Sequence, residues 1–192
     1  MIIPAYNEEE SILNTVMSIV EYRKKVDFDL DYVVINDGSV DRTKDILDSH
    51  HLNAIHLVMN LGIGGAVQTG YKYALEKNYD VAVQFDGDGQ HDIESLDALL
   101  EPIRRQQADL VVGSRFIGDK SSEFQTTFMR RFGITIISAF IKLTTGKRIL
   151  DATSGYRLAN RDIIRQFAAR YPIKYPEPES IVHLLKRKYK VV

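Results

Sequence analysis

The sequence predicts a single α/β domain with a mostly parallel central sheet and helices on both of its faces. Three observations support this fold class: short runs rich in Val and Ile alternate with amphipathic stretches, turn residues follow each run, and 192 residues suit one domain. Strands of a parallel sheet are covered on both faces and therefore read as apolar runs. The predicted strands are Met1–Ile3, Tyr32–Ile35, Ala54–Val58, Val81–Phe85 and Leu110–Val112.

Helices are predicted between and after these strands. Apolar residues recur at helical spacing over residues 12–20 and 96–103. A further helix from about Gly64 to Asn78 carries small residues in one row, which predicts close packing on the sheet. The last predicted helix, Glu177–Lys188, has Pro and Glu in its first turn, where both are favourable.

The composition excludes several classes of function. A net charge of −1 gives no basic field for nucleic acid, and the lack of cysteine excludes disulfides, thiol catalysis and zinc-thiolate sites. The longest apolar stretch, Phe132–Leu143, is shorter than the ~20 residues that span a bilayer, so we expect a buried or interface helix, or one lying on a membrane surface. Predicted strands lie at both ends, Met1–Ile3 and Tyr189–Val192, so we expect the natural chain to be longer.

Polar and turn-forming residues follow all five predicted strands. Ligands of parallel α/β sheets bind at the carboxyl ends of the strands, so these loops predict a binding site at one edge of the sheet. The loops are residues 4–8, 36–41, 60–65, 86–91 and 113–115.

Asp86 and Asp88 form the sharpest candidate, a cation site. Two carboxylates two residues apart in a Gly-rich turn can face one hard cation, and Gln90 continues the spacing with a carbonyl oxygen. A divalent ion there would offset the charge of a diphosphate leaving group. The alternative is a solvated Asx turn. A calcium loop of the EF-hand type is excluded because its sixth position requires Gly and is His91 here.

Gly62 and Gly64 lie where the third predicted loop enters a helix. Free N–H groups at a helix start can hold phosphate, so both glycines are candidates for binding a phosphorylated ligand. A tight turn with close helix packing is the alternative. The dinucleotide fingerprint needs Gly at position 67, which is Val67 here, so a Rossmann dehydrogenase is disfavoured.

Asp37, Glu8 and Arg115 are further candidates at this edge. Asp37 follows a strand directly and could accept a base N–H, whereas Glu8 could simply fill the first turn of a helix. Arg115 could clamp a phosphate with two hydrogen bonds or form a surface ion pair.

With these loops taken together, the chain resembles glycosyltransferase family 2, which has the GT-A fold, a Rossmann-like nucleotide-sugar-binding domain. Within the family it is most similar to polyprenyl-phosphate and dolichyl-phosphate sugar synthases. The motifs occur in the family's order over most of the chain. They are IIPAYNEE (2–9), NDGSVDRT (36–43), NLGIGGAVQTG (60–70), QFDGDGQHD (84–92), GSR (113–115) and DATSGYRL (151–158).

The resemblance implies a role for each group of residues. The nucleoside of a UDP- or GDP-type sugar donor would lie against Pro4, Tyr6, Glu8 and Asp37. Mg²⁺ or Mn²⁺ would be held with the donor diphosphate by Asp86, Asp88 and Gln90. The diphosphate or an acceptor phosphate would meet Arg115 and Arg157, and the acceptor side would be shaped by Ser154, Gly155 and Tyr156. Residues 1–115 would then bind the nucleotide and residues 116–192 the acceptor.

The sequence departs from the family where a catalytic base is expected. Many members carry a Glu-Asp pair on a late helix, but the stretch 175–179 has Pro where that Asp would stand. Either Glu177 or Glu179 acts as the base, or no base is needed because a phosphate acceptor is already anionic. The absence of that Asp favours a lipid-phosphate acceptor over a cell-surface glycan.

The resemblance thus implies an inverting, metal-dependent transferase. It would move a hexose or N-acetylhexosamine from a nucleoside-diphosphate sugar to a polyprenyl phosphate or a glycan, in polysaccharide or cell-wall synthesis at the cytoplasmic face of a membrane. Peripheral membrane contact, a homo-oligomer and a small membrane-protein partner are compatible with this function. Two alternatives stay open: a sugar-nucleotide pyrophosphorylase, which PAYNEE (4–9) after the first strand disfavours, and an inactive nucleotide-sugar-binding protein.

Overall fold

The computed structural model describes residues 1–86, 93–113, 154–173 and 175–192. Within these ranges the strands are β1 Ile2–Ala5, β2 Val33–Asn36, β3 Ala54–His56, β4 Val81–Gln84, β5 Leu110–Val112 and β6 Arg157–Asn160. The helices are α1 Ile12–Arg23, α2 Thr43–Ser49, α3 Gly62–Glu76, α4 Leu96–Arg104, α5 Arg161–Ala169 and α6 Pro176–Lys186. The five strands predicted between residues 1 and 112 are present, as are the helices predicted near residues 12–20, 64–78, 96–103 and 177–188.

The strands form one mixed sheet in the order β3-β2-β1-β4-β6-β5. The pairs β1–β2, β2–β3 and β1–β4 are parallel, whereas β6 is antiparallel to both of its neighbours, β4 and β5. Because β4 and β5 both oppose β6, they run in the same direction. The five predicted strands therefore end at the same edge of the sheet, which confirms the mostly parallel sheet.

Strand β6 was not predicted from the sequence. It begins with a charged residue, Arg157, and lacks an apolar run, yet it lies between β4 and β5 and pairs Arg157 with both Gln84 and Val112. Beside it, the Gly113 N–H donates to the Tyr156 carbonyl at 2.8 Å, so β5 ends where β6 begins. The predicted strand Tyr189–Val192 is reduced to one parallel bridge, between Val191 and Leu110.

Helices cover both faces of the sheet, as predicted. On one face α3, α5 and α6 form an apolar core with residues such as Tyr71, Phe167 and Ile181. On the other face α1, α2 and α4 contribute residues that include Ile12 and Leu47.

Gly70 confirms the predicted close packing of α3 on the sheet. A Cβ at this position would lie 2.1 Å from Ile2 Cγ2, so only glycine lets α3 approach β1 this closely.

No helix within the described ranges is both long and apolar enough to cross a bilayer. The stretch Phe132–Leu143 lies outside these ranges. A cavity of about 570 Å³ lies at the amino-terminal edge of the sheet, lined in part by Leu30, Tyr73 and Val81. This edge is opposite to the one where the polar loops meet, so the cavity is not part of the predicted site.

Candidate functional site

Hydrogen bonds join the loop that follows β1 (residues 6–11) to the loop that follows β2 (residues 37–42), and together they form one wall of the site. Asn7, with a left-handed φ of 56°, donates its N–H to Ser39 Oγ at 3.0 Å and accepts from the Val40 N–H at 2.9 Å. The Glu8 N–H donates to Thr43 Oγ1 at 2.8 Å. The carboxyl ends of the two parallel strands are adjacent, so these hydrogen bonds hold the two loops against each other.

Asp37 joins this wall to the loop that follows β3. It is 3% exposed and continues the β2 strand, with its N–H donating to the Ala5 carbonyl at 2.9 Å. Its Oδ1 accepts from the Leu61 N–H at 2.7 Å. The next residue, Gly38, has a φ of 68°, and a Cβ there would lie 2.7 Å from Asn60 N. Asp37 is therefore fixed where three loops meet, at the position predicted for the nucleoside.

The other residues predicted to hold the nucleoside lie along the same wall. Pro4 is buried inside β1, and Tyr6 is 47% exposed just beyond the end of that strand. Glu8 accepts from Ser11 Oγ at 2.5 Å, so its carboxylate also serves the start of α1. Of the four, Tyr6 presents the most accessible surface, that of an aromatic ring able to face a base.

Gly62 and Gly64 begin α3 at the same edge. Gly62 has a φ of 76°, and its N–H donates to Asn60 Oδ1 at 2.9 Å. A Cβ on Gly64 would lie 2.4 Å from the Pro172 carbonyl oxygen and 2.7 Å from Ile173 Cα. Gly64 thus allows α3 to pack against the segment between α5 and α6, which is the packing role weighed for it from the sequence. Binding of phosphate by either glycine stays a prediction.

Asp86 lies directly beyond β4, in contact with the segment that leads into β6. A Cβ on Gly155 would lie 2.2 Å from Asp86 Oδ2 and 2.5 Å from Oδ1, so the backbone of Gly155 fills the space beside the carboxylate. This close approach requires glycine and holds the carboxylate in place. Asp88, Gln90 and Arg115, the other residues predicted to bind metal and diphosphate, lie outside the described residues.

A buried polar layer that the sequence did not predict underlies Asp86. Gln84, two residues before Asp86 and on the same face of β4, is fully buried, and its Oε1 accepts from the Tyr171 hydroxyl at 3.3 Å. Burial raises the pKa of Tyr171 to about 12, helped by the nearby charges of Glu177 and Asp86 against the opposing effect of Arg157. The phenol therefore stays neutral and acts as a hydrogen-bond donor at physiological pH.

Arg157 belongs to this layer and is completely buried. Its Nε donates to the Ser154 carbonyl at 2.8 Å, and its Nη1 donates to the Glu177 carbonyl at 3.0 Å and to Ser180 Oγ at 2.8 Å. Ser154 and Tyr156 are buried as well, and the Tyr156 N–H donates to Ser154 Oγ at 3.2 Å. The residues predicted for the acceptor side are therefore assembled beside Asp86, with Gly155 in direct contact with its carboxylate.

Glu177 and Glu179 occupy different environments in the first turn of α6. Glu177 is partly buried, and burial raises the pKa of its carboxyl group; the charge of Asp86 adds to this rise, while Arg157 and a backbone hydrogen bond oppose it. Glu179 is exposed. Of the two carboxyl groups, Glu177 is the one held in a partly buried position. A carboxylate with a raised pKa is better suited to accept a proton at neutral pH.

The described residues fit a divalent cation in one respect and are incomplete in another. The Asp86 carboxylate offers hard oxygen donors, fixed at a strand end, which Mg²⁺ and Mn²⁺ prefer. Among the described residues no group of three or more His, Asp and Glu side chains is placed to hold a metal. A complete site at Asp86 therefore depends on the segment 87–92, where Asp88 and Gln90 were predicted.

Comparison with known proteins identifies the family. The model of the family described as "Glycosyl transferase family 2" matches residues 1–167. The chain is 35% identical over 170 residues to an undecaprenyl-phosphate mannosyltransferase of Micrococcus luteus, which covers 85% of this chain and 67% of that protein. It is 30% identical over 209 residues to a UDP-N-acetylglucosamine–dolichyl-phosphate N-acetylglucosaminyltransferase of Methanococcus voltae, which covers 100% of this chain and 80% of that protein.

Solved structures share the fold. Glucosyl-3-phosphoglycerate synthase from Mycobacterium tuberculosis, crystallised with Mn²⁺, UDP-glucose and phosphoglyceric acid, superposes with a TM-score of 0.70 at 19% identity. The match covers 96% of this chain and 64% of the synthase. The chain thus spans about two thirds of the length of several proteins that it matches. The extent of the family match and the likeness to the Methanococcus enzyme together establish that the chain belongs to glycosyl transferase family 2.

Proposed function

We propose that the protein transfers a sugar from a nucleoside-diphosphate sugar to a polyprenyl phosphate, with metal dependence and inversion at the anomeric carbon. The observation that carries the proposal is the position of Asp86. Its carboxylate lies at the carboxyl end of β4, with Gly155 against it and Glu177 within its electrostatic field. Relatives named as undecaprenyl-phosphate and dolichyl-phosphate transferases support a lipid-phosphate acceptor.

The donor is proposed to bind across the wall formed by the β1, β2 and β3 loops. Tyr6 faces the base and Asp37 accepts from a base N–H, while the diphosphate points toward Asp86. Asp86, with Asp88 and Gln90, would hold Mg²⁺ or Mn²⁺. When bound, such an ion supplies positive charge that stabilises the departing diphosphate. A solved relative of the same fold that contains Mn²⁺ and UDP-glucose supports this arrangement.

The acceptor is proposed to approach from the side of Gly155 and Glu177. Its oxygen attacks the anomeric carbon, the bond from that carbon to the diphosphate oxygen breaks, and the nucleoside diphosphate leaves. A phosphate monoester loses its second proton at a pH of about 6, so a polyprenyl phosphate is largely dianionic at neutral pH. Glu177 accepts the proton from the monoanionic fraction of the acceptor, and the fixed positive charge of Arg157 below the site favours the anionic acceptor and the leaving diphosphate. Because the acceptor is a lipid, the protein works at a membrane surface.

Calorimetry with UDP, GDP and TDP tests the donor site, first with Mn²⁺ and then with EDTA. We expect one nucleotide to bind with micromolar affinity in the presence of Mn²⁺ and binding to be lost with EDTA. Asp86→Ala should lose this binding. Asp80→Ala is the matched control, because Asp80 precedes the other end of the same strand and its side chain is 93% exposed.

A transfer assay with polyprenyl phosphate and with saccharide acceptors then tests the reaction. We expect a sugar-phosphate lipid whose anomeric configuration, read by NMR, is opposite to that of the donor. Transfer only to saccharides would replace the lipid by a glycan acceptor. An Asp86→Ala variant that binds nucleotide and transfers sugar as well as the wild type would refute the proposed site.

A further inference from the structure

Arg157 connects two separate segments that border the site. It is the first residue of β6, it lies between Gln84 of β4 and Val112 of β5, and it is completely buried. A buried guanidinium must have its N–H groups satisfied by fixed acceptors, because an unmet donor in the interior is costly.

The hydrogen bonds of Arg157 reach in two directions. Its Nε donates to the carbonyl of Ser154, in the segment that leads into β6. Its Nη1 donates to the carbonyl of Glu177, in the first turn of α6, and to Ser180 Oγ, just after that turn. Ser180 Oγ in turn donates to the same Glu177 carbonyl at 2.9 Å, which closes the arrangement. The guanidinium is planar and its donors form a rigid fork, so the two segments are held at a set distance.

Each of these segments carries a group that borders the Asp86 carboxylate. On one side Gly155, next to Ser154, is in contact with the carboxylate oxygens. On the other side the charge of Asp86 helps to raise the pKa of the Glu177 carboxyl group. The positions of Gly155 and Glu177 relative to each other, on the side where the acceptor is proposed to enter, therefore depend in part on the bonds made by Arg157.

We propose that Arg157 is a positioning residue that sets the acceptor side of the site by clamping the Ser154–Gly155 segment to the first turn of α6. It acts through Gly155 and Glu177 and does not contact the donor. This inference rests on the proposed function, since it assigns the acceptor to that side. It predicts that loss of the clamp slows transfer while donor binding is retained.

Arg157→Lys tests the proposal, because an ammonium retains the charge but cannot reproduce the fork. We expect the affinity for UDP with Mn²⁺ to stay within about threefold of the wild type, while kcat falls by roughly tenfold or more, since misplacement of a reacting group by about 1 Å can cost 10²-fold. The pH profile of kcat should also shift, because loss of the bond from Arg157 to the Glu177 carbonyl moves Glu177 relative to the charges around it. Arg161→Lys is the matched control; Arg161 lies on the surface four residues along and donates to the Asn78 carbonyl.

Ser180→Ala provides a second variant that removes a single acceptor from the clamp. We expect a smaller fall in kcat with unchanged nucleotide affinity. Ser18→Ala on α1 is its control. The Ser18 hydroxyl donates to the Thr15 carbonyl, three residues earlier, at 2.8 Å, as the Ser180 hydroxyl does to the Glu177 carbonyl. A wild-type kcat in Arg157→Lys would overturn the proposal. So would a parallel loss of nucleotide affinity, which would assign Arg157 to the diphosphate instead.

Hydrogen exchange separates this inference from the proposed function. In Arg157→Lys we expect faster amide exchange over residues 154–156 and 177–181 than in Arg161→Lys, whatever reaction the protein catalyses. If the wild type transfers no sugar, the proposed function fails and this measurement still tests the clamp. Unchanged exchange over both segments would overturn the clamp itself.

Discussion

Gly155→Ala should disable the site with little change to the rest of the fold. A Cβ at this position would lie 2.2 Å from Asp86 Oδ2, whereas ordinary contact begins near 3.4 Å. The carboxylate or the backbone must therefore move by about 1 Å, a displacement that can cost 10²-fold in rate. A hundredfold loss corresponds to about 2.7 kcal/mol in the activation barrier.

The assay for this variant measures metal-dependent UDP binding by calorimetry and sugar transfer under the same conditions, with circular dichroism to verify folding. Gly113→Ala gives a graded comparison near the same place. Its Cβ would lie 3.2 Å from Tyr156 Cδ1 and 3.3 Å from Leu99 Cδ1, so the neighbours must give by only a few tenths of an ångström. We expect Gly113→Ala to keep most of its activity. A folded Gly155→Ala protein with full activity and full metal affinity would refute the reasoning.

Three further predictions concern stability and pH. Asp37→Ala should lower the free energy of unfolding by about 1–3 kcal/mol, because the partly buried Leu61 N–H loses its charged acceptor, and Asp37→Asn should recover part of this loss in urea denaturation. Gly38→Ala should lower the melting temperature. A left-handed φ costs a residue with a side chain roughly 1–2 kcal/mol, and the new methyl group would lie 2.7 Å from Asn60 N. An unchanged melting temperature would contradict the described turn. Glu177→Gln should change the pH dependence of stability. The raised pKa of Glu177 means that the folded protein binds the carboxyl proton more tightly than the unfolded chain does. The wild-type fold therefore loses stability as pH rises from below 4.5 through the raised pKa, and the variant does not. The variant should match the wild type near pH 4 and exceed it at pH 8 in denaturant midpoint, and a lower midpoint at pH 8 would contradict this assignment.

The sequence predicted the part of the fold from β1 to β5 well because each signal there is local. An apolar run that ends in polar residues, such as Val81–Phe85 followed by Asp86, identifies both the strand and the edge at which it ends. The parallel order and the meeting of the loops then follow from general rules of sheet topology. The row of small residues in α3 likewise predicted its close packing on β1, which Gly70 provides.

The part of the fold after β5 was harder to predict because its order depends on contacts between distant parts of the chain. Strand β6 starts with Arg157, a residue that a buried strand normally excludes, and its burial follows only from pairing with β4 and β5. Gln84 and Arg157 lie in the motifs 84–92 and 151–158, but nothing local in the sequence indicates that they form one buried layer with Tyr171. One signal was available: Gly155 follows a polar residue and precedes an aromatic one, and such an isolated glycine often marks close backbone approach.

The hydrogen bond between the Gly113 N–H and the Tyr156 carbonyl has an evolutionary consequence. It places the end of β5 and the start of β6 side by side, although Gly113 and Tyr156 are about 40 residues apart in the sequence. The entropy cost of joining two points of a chain grows slowly, by only about 0.6 kcal/mol for each doubling of the length between them. Relatives can therefore differ in the number of residues between β5 and β6 while the ends of β1 to β4, with Asp37 and Asp86, keep their places.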